Sequence, residues 1–119
     1  MAWQDEYKSK LCSHQEAAKI VKSGDRFFTA LGLGEPSTAM VDAIADRKDE
    51  LEDVQYISAL VFHPYKIFTP EYRKPFQLIC GFYDILTMGQ HAEGVSRYVP
   101  ILSMQVATAS SSSNRRAGM

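Results

Sequence analysis

Seven residues separate Gly24 from Gly32, and six of them, Arg26-Phe27-Phe28-Thr29-Ala30-Leu31, form a largely apolar run. A run of that length between two glycines is too short for a helix and reads as a strand over 26–31. It lacks strict alternation, as a strand covered on both faces does. Upstream, Ser13-His14-Gln15-Glu16 has the capping-box pattern, in which the Ser13 hydroxyl accepts from a first-turn N–H while Glu16 reaches back. Ala17, Ala18, Ile20 and Val21 follow at helical spacing and Gly24 supplies a left-handed stop, which predicts a short helix over 13–23. Downstream, Gly32-Leu33-Gly34-Glu35-Pro36-Ser37 is a turn, with Pro36 suited to a first helical position and Ser37 as the alternative cap. Met40, Val41, Ile44, Ala45 and Leu51 lay an apolar stripe along a helix predicted over 36–50, and residues 54–61 read as a second strand. The order helix, strand, helix, strand predicts an α/β domain: an open, mainly parallel sheet flanked by helices.

The second half is less regular. Pro64, Pro70 and Pro75 exclude a regular element over 63–75, so this aromatic stretch (Tyr65, Phe68, Tyr72) is an excursion between strands and a plausible contact surface. Residues 76–80 read as a third strand, 85–93 as a short helix ending at Gly94, and 98–101 as a fourth strand. From residue 106 onward the chain holds four consecutive serines and almost no bulky apolar side chain. Such a segment cannot bury enough surface to offset its ordering entropy. The expected organisation is therefore one domain over residues 1–105 and a flexible Ser-rich tail over 106–119.

Composition narrows the function. With 13 basic and 14 acidic residues in 119, bulk electrostatics do not favour a nucleic-acid partner. Charge is uneven, −4 over residues 1–53 and +3 beyond, and the acidic 42–53 stretch reads as a solvated helix face and its exit loop. No apolar stretch is long enough to span a membrane, and the polar, acidic start is unlike a secretory signal. Cys12 and Cys80 cannot make a disulfide scaffold, and the expected compartment is a reducing cytoplasm.

Turns between a strand and a helix are where open α/β sheets bind anions or cofactors, so Gly32, Gly34, Glu35 and Pro36 are the candidate substrate-binding residues. A nicotinamide site would want a third glycine where Ser37 stands, and an acid after the second strand where Val61-Phe62-His63 stand. The sequence has no P-loop Gly-Lys-Ser/Thr, and Glu35 would repel phosphate. His14, His63 and His91 are widely spaced, Cys12-x-His14 offers only two ligands, and structural or surface roles are expected for them rather than a metal site. There is no nucleophile-elbow motif.

The segments also resemble a family in their order. Trp3 with Tyr7-Lys8, Ser13-x-x-Glu16-Ala17 and Ile20-Val21-Lys22-Ser23-Gly24-Asp25-Arg26 are similar to the opening of the acetyl-CoA hydrolase/transferase family, of the 4-hydroxybutyrate CoA-transferase type. Gly34-Glu35-Pro36 with the Met40-Val41-x-x-Ile44 helix, Pro70-Glu71-Tyr72, Glu93-Gly94 and Tyr98-Val99-Pro100 continue the resemblance through residue 104, within the family's first domain. The resemblance implies two facing α/β domains and ping-pong transfer of coenzyme A from an acyl-CoA to a short-chain carboxylate such as acetate, butyrate or 4-hydroxybutyrate. A glutamate nucleophile carries that transfer, with no metal or prosthetic group.

That nucleophile and the glycine-rich CoA segment belong to the family's second domain, and no position here matches either. No catalytic residue is therefore assigned: Glu35, Glu71 and Glu93 are not promoted to nucleophile. For Glu35 two roles stand level, shaping the acyl or carboxylate pocket and capping its own helix. Beyond Ile101 the family continues with a helix, a buried strand and a Ser-Pro-Pro segment, in place of which this chain has its Ser-rich tail. The expectation is a truncated first domain, inactive alone, that exposes an apolar face to a copy of itself or a complementary chain. An acyl-CoA hydrolase of the same family and a non-catalytic interaction domain are the alternatives.

Overall fold

Val54, Gln55, Tyr56, Ile57 and Ser58 are rich in β-branched and aromatic side chains, and they form the strand that the rest of the sheet flanks. The computed structural model describes residues 2–30 and 32–100. In chain order these residues form α1 (Trp3–Lys10), α2 (His14–Ala18), β1 (Arg26–Phe28), α3 (Thr38–Ala45), β2 (Val54–Ser58), β3 (Phe76–Cys80), α4 (Met88–Ala92) and β4 (Ser96–Tyr98). The four strands lie in the order β1-β2-β3-β4 and every pair is parallel, with Phe27 opposite Tyr56, Tyr56 opposite Leu78, and Leu78 opposite Ser96. The predicted α/β fold with a parallel sheet is the fold observed.

One face of the sheet carries the core. Val54, Tyr56, Phe76, Leu78 and Cys80 are buried there with Ala18 and Val21, with Val41, Ile44 and Ala45 of α3, and with Tyr65, Ile67, Phe68 and Tyr72. Tyr56 is its centre. Its ring stacks on Phe27 at 4.8 Å and on Phe68 at 6.2 Å, and meets Tyr65 edge-on at 6.3 Å. Its hydroxyl shares a 2.9 Å hydrogen bond with the Thr29 hydroxyl, and burial pushes its ionisation above the ordinary tyrosine value. The proline-containing 63–75 stretch is thus an excursion with a buried side, made of two 3₁₀ turns at Lys66–Phe68 and Pro70–Tyr72.

The helical pair is tied by a single cation. Arg47, just beyond α3, donates from Nη1 to the carbonyls of Ala18 at 2.6 Å and Val21 at 2.8 Å, tying the end of α2 and the turn after it to the end of α3. Its Nε pairs with Glu50 at 3.0 Å.

Several boundaries differ from expectation for identifiable reasons. Helix α1 has no buried residue, so no core-facing stripe announces it; Asp5 and Glu6 near its start and Lys8 and Lys10 near its end complement its dipole. Helix α2 stops at Ala18 instead of running to residue 23, and Ile20 is 78% exposed rather than part of a buried stripe. Ser13 does cap it, accepting from the Glu16 N–H at 3.1 Å, but the Glu16 carboxylate takes the Lys19 ammonium instead of reaching back. Helix α3 begins at Thr38, leaving Pro36 outside it, and Ser37 makes no side-chain cap bond. Strand β2 ends at Ser58 rather than residue 61, α4 is confined to Met88–Ala92, and β4 lies at Ser96–Tyr98 rather than 98–101.

Strand β1 is also covered on one face only among the described residues. Arg26 and Phe28 are exposed while Phe27 turns inward, and the same outer face carries Gln55, Ile57, Gln77, Ile79 and Arg97, none fully buried. Gly94 adopts the left-handed conformation just past the end of α4, at φ +71°, whereas Gly24, at φ +82°, lies six residues beyond α2 and donates its N–H to the Glu52 carbonyl at 2.9 Å instead of stopping a helix. Leu31 of the expected first strand, Ile101 of the fourth and the expected 106–119 tail lie outside the described residues.

Replacing Tyr56 tests the core. Tyr56→Phe removes only the bond to Thr29 and is expected to cost about 1 kcal/mol. Tyr56→Ala empties the space between Phe27, Phe68 and Tyr65 and is expected to cost about 3–5 kcal/mol. Urea unfolding followed by circular dichroism checks both.

Candidate functional site

At the carboxyl ends of parallel strands the chain must leave the sheet, and its turns there are the usual place for a ligand. After β1 the chain enters a 3₁₀ turn at Gly32–Gly34. Gly32 is buried at φ +54°, and its N–H donates to the Leu60 carbonyl at 3.2 Å, which closes the turn onto the loop that follows β2. A Cβ on Gly32 would stand 3.1 Å from Phe62 Cε2, so backbone conformation and space both call for glycine.

The turn aims Glu35 at that same loop. Its side chain is 0% exposed, and Oε2 accepts from the Phe62 N–H at 3.0 Å and from His63 Nδ1 at 2.8 Å. The carboxylate therefore turns away from α3, and its contacts are those of a clamp between loops rather than of a helix cap. A carboxylate only accepts, so Nδ1 of His63 carries the hydrogen and Nε2 is the ring atom left for other partners. His63 is 43% exposed, and Nε2 takes no hydrogen bond among the described residues. Among the described residues Glu35 Oε1 is buried and has no partner.

Tyr65 completes the arrangement. It packs its ring on His63 at 5.8 Å and donates its hydroxyl to the Pro36 carbonyl at 3.0 Å. Burial, with the neighbouring Tyr56, Glu35 and Asp42 charges adding to it, pushes its ionisation far above the ordinary tyrosine value. Leu33 and Phe62 are exposed beside the pair.

The next turn is held by Asp84. One carboxylate oxygen accepts from the Leu86 and Thr87 N–H groups at 3.0 and 2.9 Å, and the other from the Val61 N–H at 3.2 Å. Gly81 donates to the Ser58 carbonyl at 2.7 Å. Two buried carboxylates thus bind the post-β2 loop from either side, Glu35 through Phe62 and Asp84 through Val61.

The remaining candidates are dispersed. Glu71 faces Lys48 at 3.7 Å, and Glu93 faces Arg73 at 2.6 Å, both on exposed surface. A groove of about 570 Å³ lies at the opposite, amino end of the strands, where Lys48, Glu52, Glu71 and Lys74 mix both charges. Among the described residues no three His, Cys, Asp or Glu side chains gather to hold a metal ion, and no helix is long and apolar enough to cross a membrane.

Of the four residues singled out in the sequence, Gly32 shapes the turn, Gly34 is exposed on it, Pro36 contributes a carbonyl to Tyr65, and Glu35 is buried against His63. His63, expected to be structural or on the surface, is half-exposed and pairs with Glu35, a contact between residues far apart in the chain that no local pattern announced. The one signal was its place at the end of the second strand, where a ligand contact is sought.

Over 53 residues, 44% of the chain, it is 47% identical to a succinyl-CoA:cyclohexane-1-carboxylate CoA transferase of Geobacter metallireducens. Over 51 residues, 43% of the chain, it is 54% identical to a probable butyrate:acetyl-CoA coenzyme A-transferase of Syntrophomonas wolfei. The chain resembles CoA transferases. The matched stretches span only 12% and 11% of those curated relatives. No family model matches the chain. Its fold is similar to the crystal structure of RipA from Yersinia pestis, with a TM-score of 0.75 at 22% identity over 89% of this chain and 27% of that one. A mutant RipA structure is similar at a TM-score of 0.76 and 21% identity, covering 85% of this chain and 25% of that one. At these identities the likeness is one of fold.

Two outcomes are expected from the sheet edge. Gly32→Ala forces a left-handed alanine against Phe62 and is expected to lower stability by about 1–2 kcal/mol in urea unfolding. Cys80 is buried, and its thiol is pushed up to about 11. At pH 8 it is therefore about one part in 10³ thiolate, so iodoacetamide should label exposed Cys12 first. Native Cys80 labelling should rise as pH climbs towards 11, read by peptide mass spectrometry.

Proposed function

We propose that this chain is the amino-terminal part of a CoA transferase, which moves coenzyme A between an acyl-CoA and a short-chain carboxylate of the acetate, butyrate or 4-hydroxybutyrate class. The observation that supports it is the roughly half-identical match to two CoA transferases, one of them named for butyrate and acetyl-CoA. Residues 1–105 are assigned to its first α/β domain, and residues 106–119 to a flexible tail. Gly32, Gly34, Glu35 and Pro36 form the substrate-facing turn of that domain. Coenzyme A is handled as a thioester substrate, with no bound cofactor.

In this reading the chain supplies half of a cleft. The attacking carboxylate and the CoA-binding segment come from a second domain, so residues 1–119 position the acyl or carboxylate group and do not perform the displacement. Covalent transfer through an enzyme carboxylate divides one hard exchange into easier steps, and each step needs its oxyanion held by fixed donors. The protein works in the cytoplasm, where acyl-CoA is made and used.

The test is a domain graft. The purified 119-residue chain, given butyryl-CoA and acetate, is expected to form no acetyl-CoA. Substituted for the matching region of the Syntrophomonas wolfei relative, it is expected to support acetyl-CoA formation, followed by liquid chromatography. Transfer by the isolated chain would overturn the division of labour. A folded graft that only hydrolyses butyryl-CoA would replace transfer with hydrolysis.

A further inference from the structure

A short helix is marginal in water by itself, because the cost of nucleating it is recovered only over a longer run or through a packed face. Helix α1 has eight residues and none of them is buried. Among the described residues, 2–11 make their hydrogen bonds only with one another. Trp3 and Tyr7, with Leu11 at the carboxyl cap, recur every fourth residue and so lie along one side of the helix. They are 73%, 61% and 66% exposed. At about 100° per residue, Glu6 and Lys10 fall together on one flank of this apolar row, and Gln4 and Lys8 on the other. Glu6 and Lys10 are joined by a 2.6 Å ion pair.

Such a row with such a flank is complementary to itself. Two copies of α1 laid antiparallel across Tyr7 put Trp3 of each towards Leu11 of the other, and Tyr7 against Tyr7. Glu6 of each then lies alongside Lys10 of the other. A parallel pairing would instead set Glu6 on Glu6 and Lys10 on Lys10. The uncovered outer face of the sheet is a worse partner for the row, since its exposed Arg26 and Arg97 would meet Lys8 and Lys10.

We propose that α1 is a self-association surface, pairing antiparallel with α1 of a second copy of this chain through Trp3, Tyr7 and Leu11. The contact is isologous and closes on a two-fold axis, so it yields a dimer and not a fibre. Six apolar side chains cover roughly 800 Å² in total, at about 150–250 Å² for each ring. A stable interface buries about 1,200 Å² or more, so the dimer is weak and forms at about 10–100 µM. Helix α1 gains its packed face only as the dimer forms, which makes ordering of the helix and association one event. The contact uses neither the Tyr56 core nor the Glu35 turn, so it stands whether or not the chain is part of a transferase.

Trp3 is the only tryptophan in the sequence, so its emission reports on α1 alone. The whole 119-residue chain is followed by sedimentation and by tryptophan emission from about 1 µM to about 1 mM. The mass is expected to double and the emission to move to shorter wavelength over the same range. Tyr7→Glu is expected to weaken association about tenfold or more. Its urea midpoint should remain that of the parent chain, because Tyr7 lies outside the core. Glu6→Lys and Lys10→Glu are each expected to weaken association about fivefold, and an equal mixture of the two to restore it. A chain that stays monomeric throughout, or a mass that doubles with no change in emission, would overturn the proposal. So would short-wavelength emission from the dilute monomer, which would mean that the same chain covers α1. Association unchanged in Tyr7→Glu, or a mixture no tighter than its two components, would also sink it.

Discussion

Tyr56 is the contact on which the arrangement of this domain depends. A parallel sheet is stable when its strands find cover, and here Phe27, Tyr56 and Phe68 meet in a single stack on the covered face. Phe27 brings in β1, Phe68 and Tyr65 bring in the excursion between β2 and β3, and the Thr29 hydroxyl removes the one polar atom that would otherwise stand unpaired. Because β1 has only three residues, its ladder alone could not position the turn that follows it. The stack does so, and the Gly32 turn inherits its place from Tyr56.

From that anchor the sheet's carboxyl edge becomes a rigid rim. Glu35 and Asp84 grip the same loop at adjacent residues, Phe62 and Val61. Each carboxylate replaces water with backbone N–H groups, so the loop cannot move without exposing a buried charge. A side chain such as His63 is aimed only if the backbone beneath it is held, and here it is. Ligands of open α/β sheets generally sit outside the carboxyl ends of the strands, which is where this rim lies.

Much of the fold was legible because its signals are local. The 76–80 run was bounded by Pro75 and Gly81 and became β3 with the same ends. Gly94 was read as the end of a short helix, and it follows the Glu93 cap of α4 with positive φ. Failures came where length or partners outside the element decide the outcome. Helix α1 has no core-facing stripe to read, Ile20 sits at the right spacing but points to solvent, and α3 is shortened at both ends. The site was half visible. Its turn was marked by glycines at a strand end, but His63 had no neighbouring ligand residue and so looked bland.

By itself the sequence determined the order of elements from α2 onward, the parallel α/β class, the glycine turn and the resemblance to CoA transferases, because periodicity, turn chemistry and motif order are written in neighbouring residues. Only the tertiary structure decided what Glu35 does. Its partners Phe62 and His63 lie 27 and 28 residues away along the chain, and strand pairing alone brings them within hydrogen-bond distance. No local pattern encodes such a contact; it follows from the register of β1 against β2 and the tight closure of Gly32 onto Leu60.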